Sequence, residues 1–199
     1  MSANERIVGL YEDNAAAWDR MRGRNLHEGP WLDRFLGQVP AGGSILDIGC
    51  GMGEPVARYF VAGGFAVTGI DSSPSLIAMA RDRFPAHEWI AADMRLMDLG
   101  RRFDGLIAWH SLFHLSPEDQ RVMFARFGVH AKPGAPLMFT SGAEHGEVLG
   151  EWQNEPLYHG SLDPAEYRAL LEANGFSKVI HKVRDPDCGS STIWLAIRA

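Results

Sequence analysis

Apolar residues recur along this chain in two rhythms. Before about residue 40 they return at helical spacing. Ile7, Leu10, Tyr11, Ala15 and Trp18 predict one helix over residues 4–21, and Trp31, Leu32, Phe35 and Leu36 predict a second that starts at Pro30 and stops at the Pro40-Ala41-Gly42-Gly43 turn. From Ser44 onward short apolar runs alternate with capped helical segments. Ile45 to Ile48 reads as a buried strand, followed by a helix from Pro55 to about Ala62 that Gly63-Gly64 closes. Phe65 to Asp71 reads as the second strand, Ser73-Pro74 opens a helix, and a third strand runs through Trp89 to Ala92. Phe103 to Trp109 is the fourth strand, Ser116-Pro117-Glu118-Asp119 caps a helix reaching about Phe127, and Ala135 to Thr140 is the fifth strand. Residues 141–162 read as a long loop, the kind that usually carries function. Asp163-Pro164-Ala165-Glu166 opens a helix that Gly175 ends, and strands near 178–183 and 192–197 flank the turn-rich 185–189 as a final hairpin. Strands and helices in this order predict an α/β fold on a parallel sheet.

Composition narrows the function classes. The chain has 199 residues, 46% of them hydrophobic and 22% charged, which suits one soluble globular domain with a sizeable core. A net charge of −6 gives no electrostatic reason to expect nucleic acid as partner. The first residues lack the basic-then-apolar order of a secretory signal, and no apolar run approaches membrane-spanning length, so the expectation is a cytoplasmic protein with no membrane partner. Cys50 and Cys188 alone support neither a disulfide framework nor a Cys-rich metal site.

The chemistry centres on Asp47-Ile48-Gly49-Cys50-Gly51-Met52-Gly53, a strand end running into alternate glycines. Glycines there let the backbone turn sharply and let a ligand approach without meeting a Cβ. A dinucleotide fingerprint would place its third glycine three residues after the second, where Glu54 stands. Arg58 is the single basic residue between Ser44 and Pro74, against Asp47, Glu54 and Asp71, so a diphosphate is poorly served. A ligand with ribose, adenine and a cationic tail fits better, and S-adenosylmethionine is such a ligand.

At these residues the chain resembles the class I S-adenosylmethionine-dependent methyltransferases of small-molecule type, strongest over about residues 44–141. Asp47 with Gly49, Cys50, Gly51 and Gly53 matches the family's first motif, and Asp71, 20 residues past Gly51, closes the second strand as the family's ribose acid does, with Ser72 beside it. Asp93 and Met94 follow the third strand, where the family holds adenine through a carboxylate and a backbone amide. The resemblance implies a Rossmann-like, seven-stranded, mostly parallel sheet with helices on both faces, in strand order 3-2-1-4-5-7-6 with the seventh strand antiparallel. It also implies one methyltransferase domain over 1–199, with 1–43 a helical lid or flank and 44–199 the core, and makes Tyr11, Trp18 and Arg22 candidates for the methionine end.

Acceptor chemistry falls to the later strand ends. Trp109 is placed to edge the adenine or the sulfonium, and His110 and His114 follow the fourth strand. Methyl transfer from a sulfonium is an in-line displacement that needs alignment and, for a hydroxyl or ammonium acceptor, a base. Imidazole suits that task, so His114 and His159 are the candidate catalytic groups, with His110, His145, Trp152 and Tyr158 as candidate acceptor contacts. No Asn-Pro-Pro-Tyr or Asp-Pro-Pro-Tyr follows the fourth strand, which argues against nucleobase amines, and no cysteine sits where a cytosine-attacking nucleophile belongs. The fourth strand end lacks the clustered acids of a catechol-type metal site, so no metal is expected. The expected function is methyl transfer to an oxygen or nitrogen of a small molecule by a monomer or homodimer. An NAD(P)-dependent oxidoreductase and a non-catalytic binder of S-adenosylmethionine or S-adenosylhomocysteine are the alternatives.

Overall fold

The computed structural model describes residues 3–199. Seven strands form one sheet: β1 (Ser44–Ile48), β2 (Ala66–Asp71), β3 (Glu88–Ala91), β4 (Gly105–Ala108), β5 (Pro136–Ser141), β8 (Phe176–Asp185) and β9 (Ser191–Arg198), in the order β3-β2-β1-β4-β5-β9-β8. The first five pair in parallel, and β9 runs antiparallel to both β5 and β8. Two further strands, β6 (Gly146–Trp152) and β7 (Glu155–Ser161), stand apart as a sheet of their own. With β8 and β9 taken as the sixth and seventh core strands, the order is the one the resemblance implies.

Alternation along each strand splits the core into two layers. Leu46, Ile48, Leu106, Leu137, Phe139 and Trp194 face α6 (Pro117–His130) and α7 (Pro164–Ala173). Ile45, Val67, Ile107, Met138 and Leu195 face α3 (Gly29–Leu36), α4 (Val56–Ala62) and α5 (Pro74–Arg83), where Phe35, Phe60 and Ile77 are fully buried. Side chains that alternate on a parallel sheet must be covered on both faces, and these helices supply the cover. Among the described residues no helix is long and apolar enough to cross a membrane.

Two expectations need correction. The helix read over 4–21 is two helices, α1 (Ala3–Asp13) and α2 (Ala15–Met21), broken at Asn14, whose φ of −114° and ψ of 20° are not helical. The Asn14 amide turns back to donate to the Leu10 carbonyl at 2.9 Å, the competition with the backbone that makes Asn a poor interior helix residue. The segment 141–162 is the β6–β7 hairpin, not an irregular loop. Its turn is Gln153-Asn154, both left-handed at φ 57° and 61°, as a two-residue hairpin connection requires. Val148 and Leu149, neighbours on opposite faces, are 65% and 62% exposed, so the strand carries no half-buried alternation for a sequence reading to detect.

Candidate active site

The carboxyl ends of β1, β2, β3 and β4 open into one cleft, as expected where an open α/β sheet meets its ligand. Its larger lobe is lined by the N-terminal helices, the glycine loop and the ends of β2, β3 and β4. A smaller lobe shares Trp18, Gly49, Gly51 and His110 with it.

The glycine loop forms the floor. Gly49, Gly51 and Gly53 all have left-handed φ, at 78°, 53° and 79°, which explains glycine at alternate positions. A Cβ on Gly49 would lie 2.2 Å from the Cβ of Ser111, whereas at Gly51 the nearest atom is the Trp18 indole nitrogen at 3.7 Å, leaving that side open to the cleft. Ser111, which sequence reading missed, locks the loop against β4 by donating to the Ile48 carbonyl at 2.6 Å. The amides of Gly49 and Cys50 both donate to the Ile70 carbonyl, at 2.7 and 3.0 Å.

Three acids sit around this floor in different states. Asp47 is 3% exposed, its carboxylate accepts no hydrogen bond from the described residues, and its pKa is pushed up to about 7 by burial and then by the charge of Asp71. Asp71 accepts from the Gly51 amide at 2.8 Å and the Ser73 amide at 2.9 Å, yet burial outweighs these bonds and its pKa is also raised. Asp93 behaves differently. Burial works to raise it, but Arg95 grips both of its oxygens, at 2.6 to 3.0 Å, and holds its pKa down. Arg95 reaches on to Asp119 at 3.0 Å, and both Arg95 and Asp119 line the large lobe, a bridge that no spacing in the sequence announces.

The N-terminal helices and the hairpin form the roof. Glu12 accepts from the Ser73 hydroxyl at 2.5 Å and from the Ser75 amide and hydroxyl at 3.1 and 2.6 Å, which ties α1 to the start of α5. Tyr11 stacks on Trp152 at 5.3 Å, and Trp18 meets both edge-on at 5.2 and 5.6 Å. Tyr158 is buried and donates to Glu147 at 2.7 Å. Arg22 lines the small lobe while paired with Glu28 at 3.1 Å. Trp109 also lines that lobe, and its buried indole N–H has no partner among the described residues.

The histidines separate clearly. The Nδ1 of His114 lies 2.9 Å from the Tyr158 carbonyl, which can only accept, so in the neutral ring Nδ1 carries the proton and Nε2 accepts from the Tyr11 hydroxyl at 3.1 Å. Burial pushes His114 down to about 4 and Tyr11 far up, which keeps the proton on the tyrosine. His159 lies 5.1 Å from His114 and 4.9 Å from Phe113, is lowered by burial, and lines neither lobe. His110 stacks on Trp109, lines both lobes, and contacts the Ser191 hydroxyl through Nε2 at 3.1 Å. His145 is exposed on the approach to β6, away from the cleft. Ser72 and Met94 line the large lobe beside Asp71 and Asp93, and Cys50 lines the small one.

Known proteins resemble this chain in sequence and in fold. Residues 45–134 match the family described as a methyltransferase domain. A 27-O-demethylrifamycin SV methyltransferase of Amycolatopsis mediterranei is 38% identical over 37% of this chain and 33% of its own length. An O-methyltransferase of Aspergillus nomiae is 30% identical over 70% of this chain and 66% of its own. The chain spans a third to under a half of the length of the first curated relatives it matches. Among solved structures, the CcbJ methyltransferase from Streptomyces caelestis superposes with a TM-score of 0.74 at 18% identity, covering 95% of this chain and 98% of that one. At such identity the likeness is one of fold.

Proposed function

We propose that this chain, which belongs to the class I S-adenosylmethionine-dependent methyltransferases, moves the cofactor's methyl group to an oxygen or nitrogen of a small-molecule acceptor. The observation that carries this reading is Asp47, a buried carboxylate that accepts no hydrogen bond from the described residues, in the wall of a glycine-floored lobe. Such a group calls for a cationic ligand and repels a diphosphate.

The residues present fit S-adenosylmethionine. Gly51 leaves open space where a side chain would stand, Trp109 offers a buried N–H with no partner among the described residues, and Asp47 and Asp71 line the two lobes of the cleft. When bound, the cofactor supplies an electrophilic methyl on sulfur, whose carbon–sulfur bond breaks with its electron pair onto sulfur as the acceptor's lone pair forms the new bond. Asp71 and Ser72 take the ribose end, and Met94 with Asp93 the adenine end. Arg95 must then share or release the Asp93 carboxylate. Tyr11, Trp18 and Trp152 exclude water from above, and Arg22 and Cys50 border the methionine end with Gly49 and Gly53. His114, fixed by two hydrogen bonds, positions the roof against the cleft. His110, which lines both lobes and bonds Ser191 through Nε2, would leave its other ring nitrogen to the acceptor. His159 backs the His114 ring, and Tyr158 holds the hairpin.

Calorimetry with S-adenosylmethionine, S-adenosylhomocysteine and NAD tests the cofactor. Both sulfur compounds should bind, and Asp71→Ala should weaken them by about 1.5–3 kcal/mol, the range for hydrogen bonds to a charged group. Tight binding of NAD with neither sulfur compound bound would overturn the reading. At saturating cofactor, His110→Ala, His114→Ala and His159→Ala distinguish a base from an aligning group. A base should cost about 10²–10⁴-fold in rate, and losses under about tenfold in all three would leave alignment as the source of rate.

A further inference from the structure

A separate cavity opens on the far side of His110, between the end of β5 and the turn that joins β8 to β9. Its wall carries the hydroxyls of Thr140, Ser141, Ser190, Ser191 and Thr192, with Phe113 on the side toward the hairpin. No carboxylate lines it. Its one permanently charged side chain is Arg184, which is exposed and has no ion-pair partner among the described residues. With a cation and no acid in its lining, the cavity is suited to an anionic group.

Backbone strain points to the same place. Among the described residues, six non-glycine ones have left-handed φ: His110, Gln153, Asn154, Lys178, Arg184 and Ser190. Gln153 and Asn154 are the hairpin turn, Lys178 and Arg184 lie in the two irregular register steps of β8, and Ser190 lies in the turn that joins β8 to β9. His110, at φ 51°, lies in none of these turns or steps, and it lines this cavity with Arg184 and Ser190. Each is held there through its amide: His110 donates to the Thr140 hydroxyl at 2.9 Å, Arg184 to the Thr192 hydroxyl at 3.2 Å, and Ser190 to the Asp185 carbonyl at 2.9 Å. Left-handed conformations at non-glycine residues are costly, persist only where the surroundings hold them, and gather at ligand sites.

Resting on the methyltransferase reading above, we propose that this cavity receives the acceptor and that Arg184 selects acceptors bearing a carboxylate. The guanidinium fork matches a carboxylate's two oxygens, and the exposed Ser190 hydroxyl can donate to a lone pair that the fork leaves. A phosphate would be expected to draw more than one cation or a helix N-terminus, and the cavity offers neither. His110 is the wall common to this cavity and the cofactor cleft, so an acceptor held by its acid group at Arg184 presents its other end past the His110 ring. Ser191, bonded to His110 Nε2, fixes the ring between the two spaces.

The test uses the protein loaded with S-adenosylhomocysteine and a panel of small aromatic and aliphatic hydroxy and amino acids, each paired with its own carboxamide. Binding is read by saturation-transfer NMR and calorimetry. At least one acid should bind about tenfold or more tightly than its amide. Arg184→Gln should abolish that preference and Arg184→Lys restore part of it, while S-adenosylhomocysteine binds all three proteins alike. A panel in which no acid exceeds its amide overturns the proposal, as does a preference that survives Arg184→Gln. S-adenosylhomocysteine binding to the wild type is measured first. Its failure sinks the methyltransferase reading and this proposal with it, whereas its success with no acid preference sinks this proposal alone.

Discussion

Asp47 shows how a single side chain can be placed for a ligand at the expense of the fold. Burial and the neighbouring Asp71 lift it to about 7, so between about pH 4 and 7 the folded protein holds a proton that the unfolded chain has lost. The stability tied to that proton is fully present below the unfolded carboxylate's pKa and disappears as pH rises through about 7. Asn keeps the shape and removes the titration. In ligand-free protein, Asp47→Asn should therefore raise the melting temperature, by a margin that widens from about pH 4 to about 7 and stays level above. The full shift corresponds to about 4 kcal/mol at most. Melting curves at pH 5 and pH 8 check it, and a margin larger at pH 5 would refute the burial argument. His114 has the opposite displacement, down to about 4, so it is neutral throughout the physiological range.

At the scale of elements, the hairpin β6–β7 differs most from the sequence reading. It carries Trp152, Tyr158 and His159, and with α1 it packs Ile7, Leu10 and Tyr158 into a small cluster separate from the two main layers. Its turn is poorly chosen by propensity: Gln153 at φ 57° occupies a position that favours Asn, and Asn154 at φ 61° one that favours Gly. Replacing the pair by Asn-Gly should stabilise the hairpin by roughly 0.5–1 kcal/mol, because the strained conformation is relieved without altering a strand contact. Hydrogen exchange of amides in Gly146–Trp152 and Glu155–Ser161 reads this directly. Exchange should slow several-fold there and stay unchanged in β1 and β4. Unchanged exchange in the hairpin would mean that its opening is governed by the Tyr11, Trp18 and Trp152 contacts and not by the turn.

For the whole molecule, the cleft is built from elements far apart in the chain: the N-terminal helices, four strand ends, the start of α6 and, through His110, the last turn. A ligand that binds across them stabilises the folded state alone. At one hundred times its dissociation constant, S-adenosylhomocysteine should add about 2.7 kcal/mol, which for a chain of this size is a rise of roughly 5–10 °C in melting temperature. Differential scanning fluorimetry against ligand concentration checks it. A flat response would mean that the cleft does not take the compound.

The division between sequence and tertiary structure follows from the range of the forces involved. Alternating glycines, three acids at successive strand ends and capped helices are local signals, because a left-handed turn or an N-cap is satisfied within a few residues. They were enough to read the strand-helix order of the core and, through the resemblance, its topology. The split at Asn14 was also local but was masked by helical spacing on both sides. The hairpin escaped because neither face of β6 is buried and its alternation carries no information. Only the tertiary structure could put Arg95 on Asp93, close Tyr11 onto His114 across 103 residues, and bring Arg184 to the far wall of His110. These contacts join residues that sequence proximity does not relate. The burial that shifts Asp47 and His114 likewise arises only when distant elements pack around them.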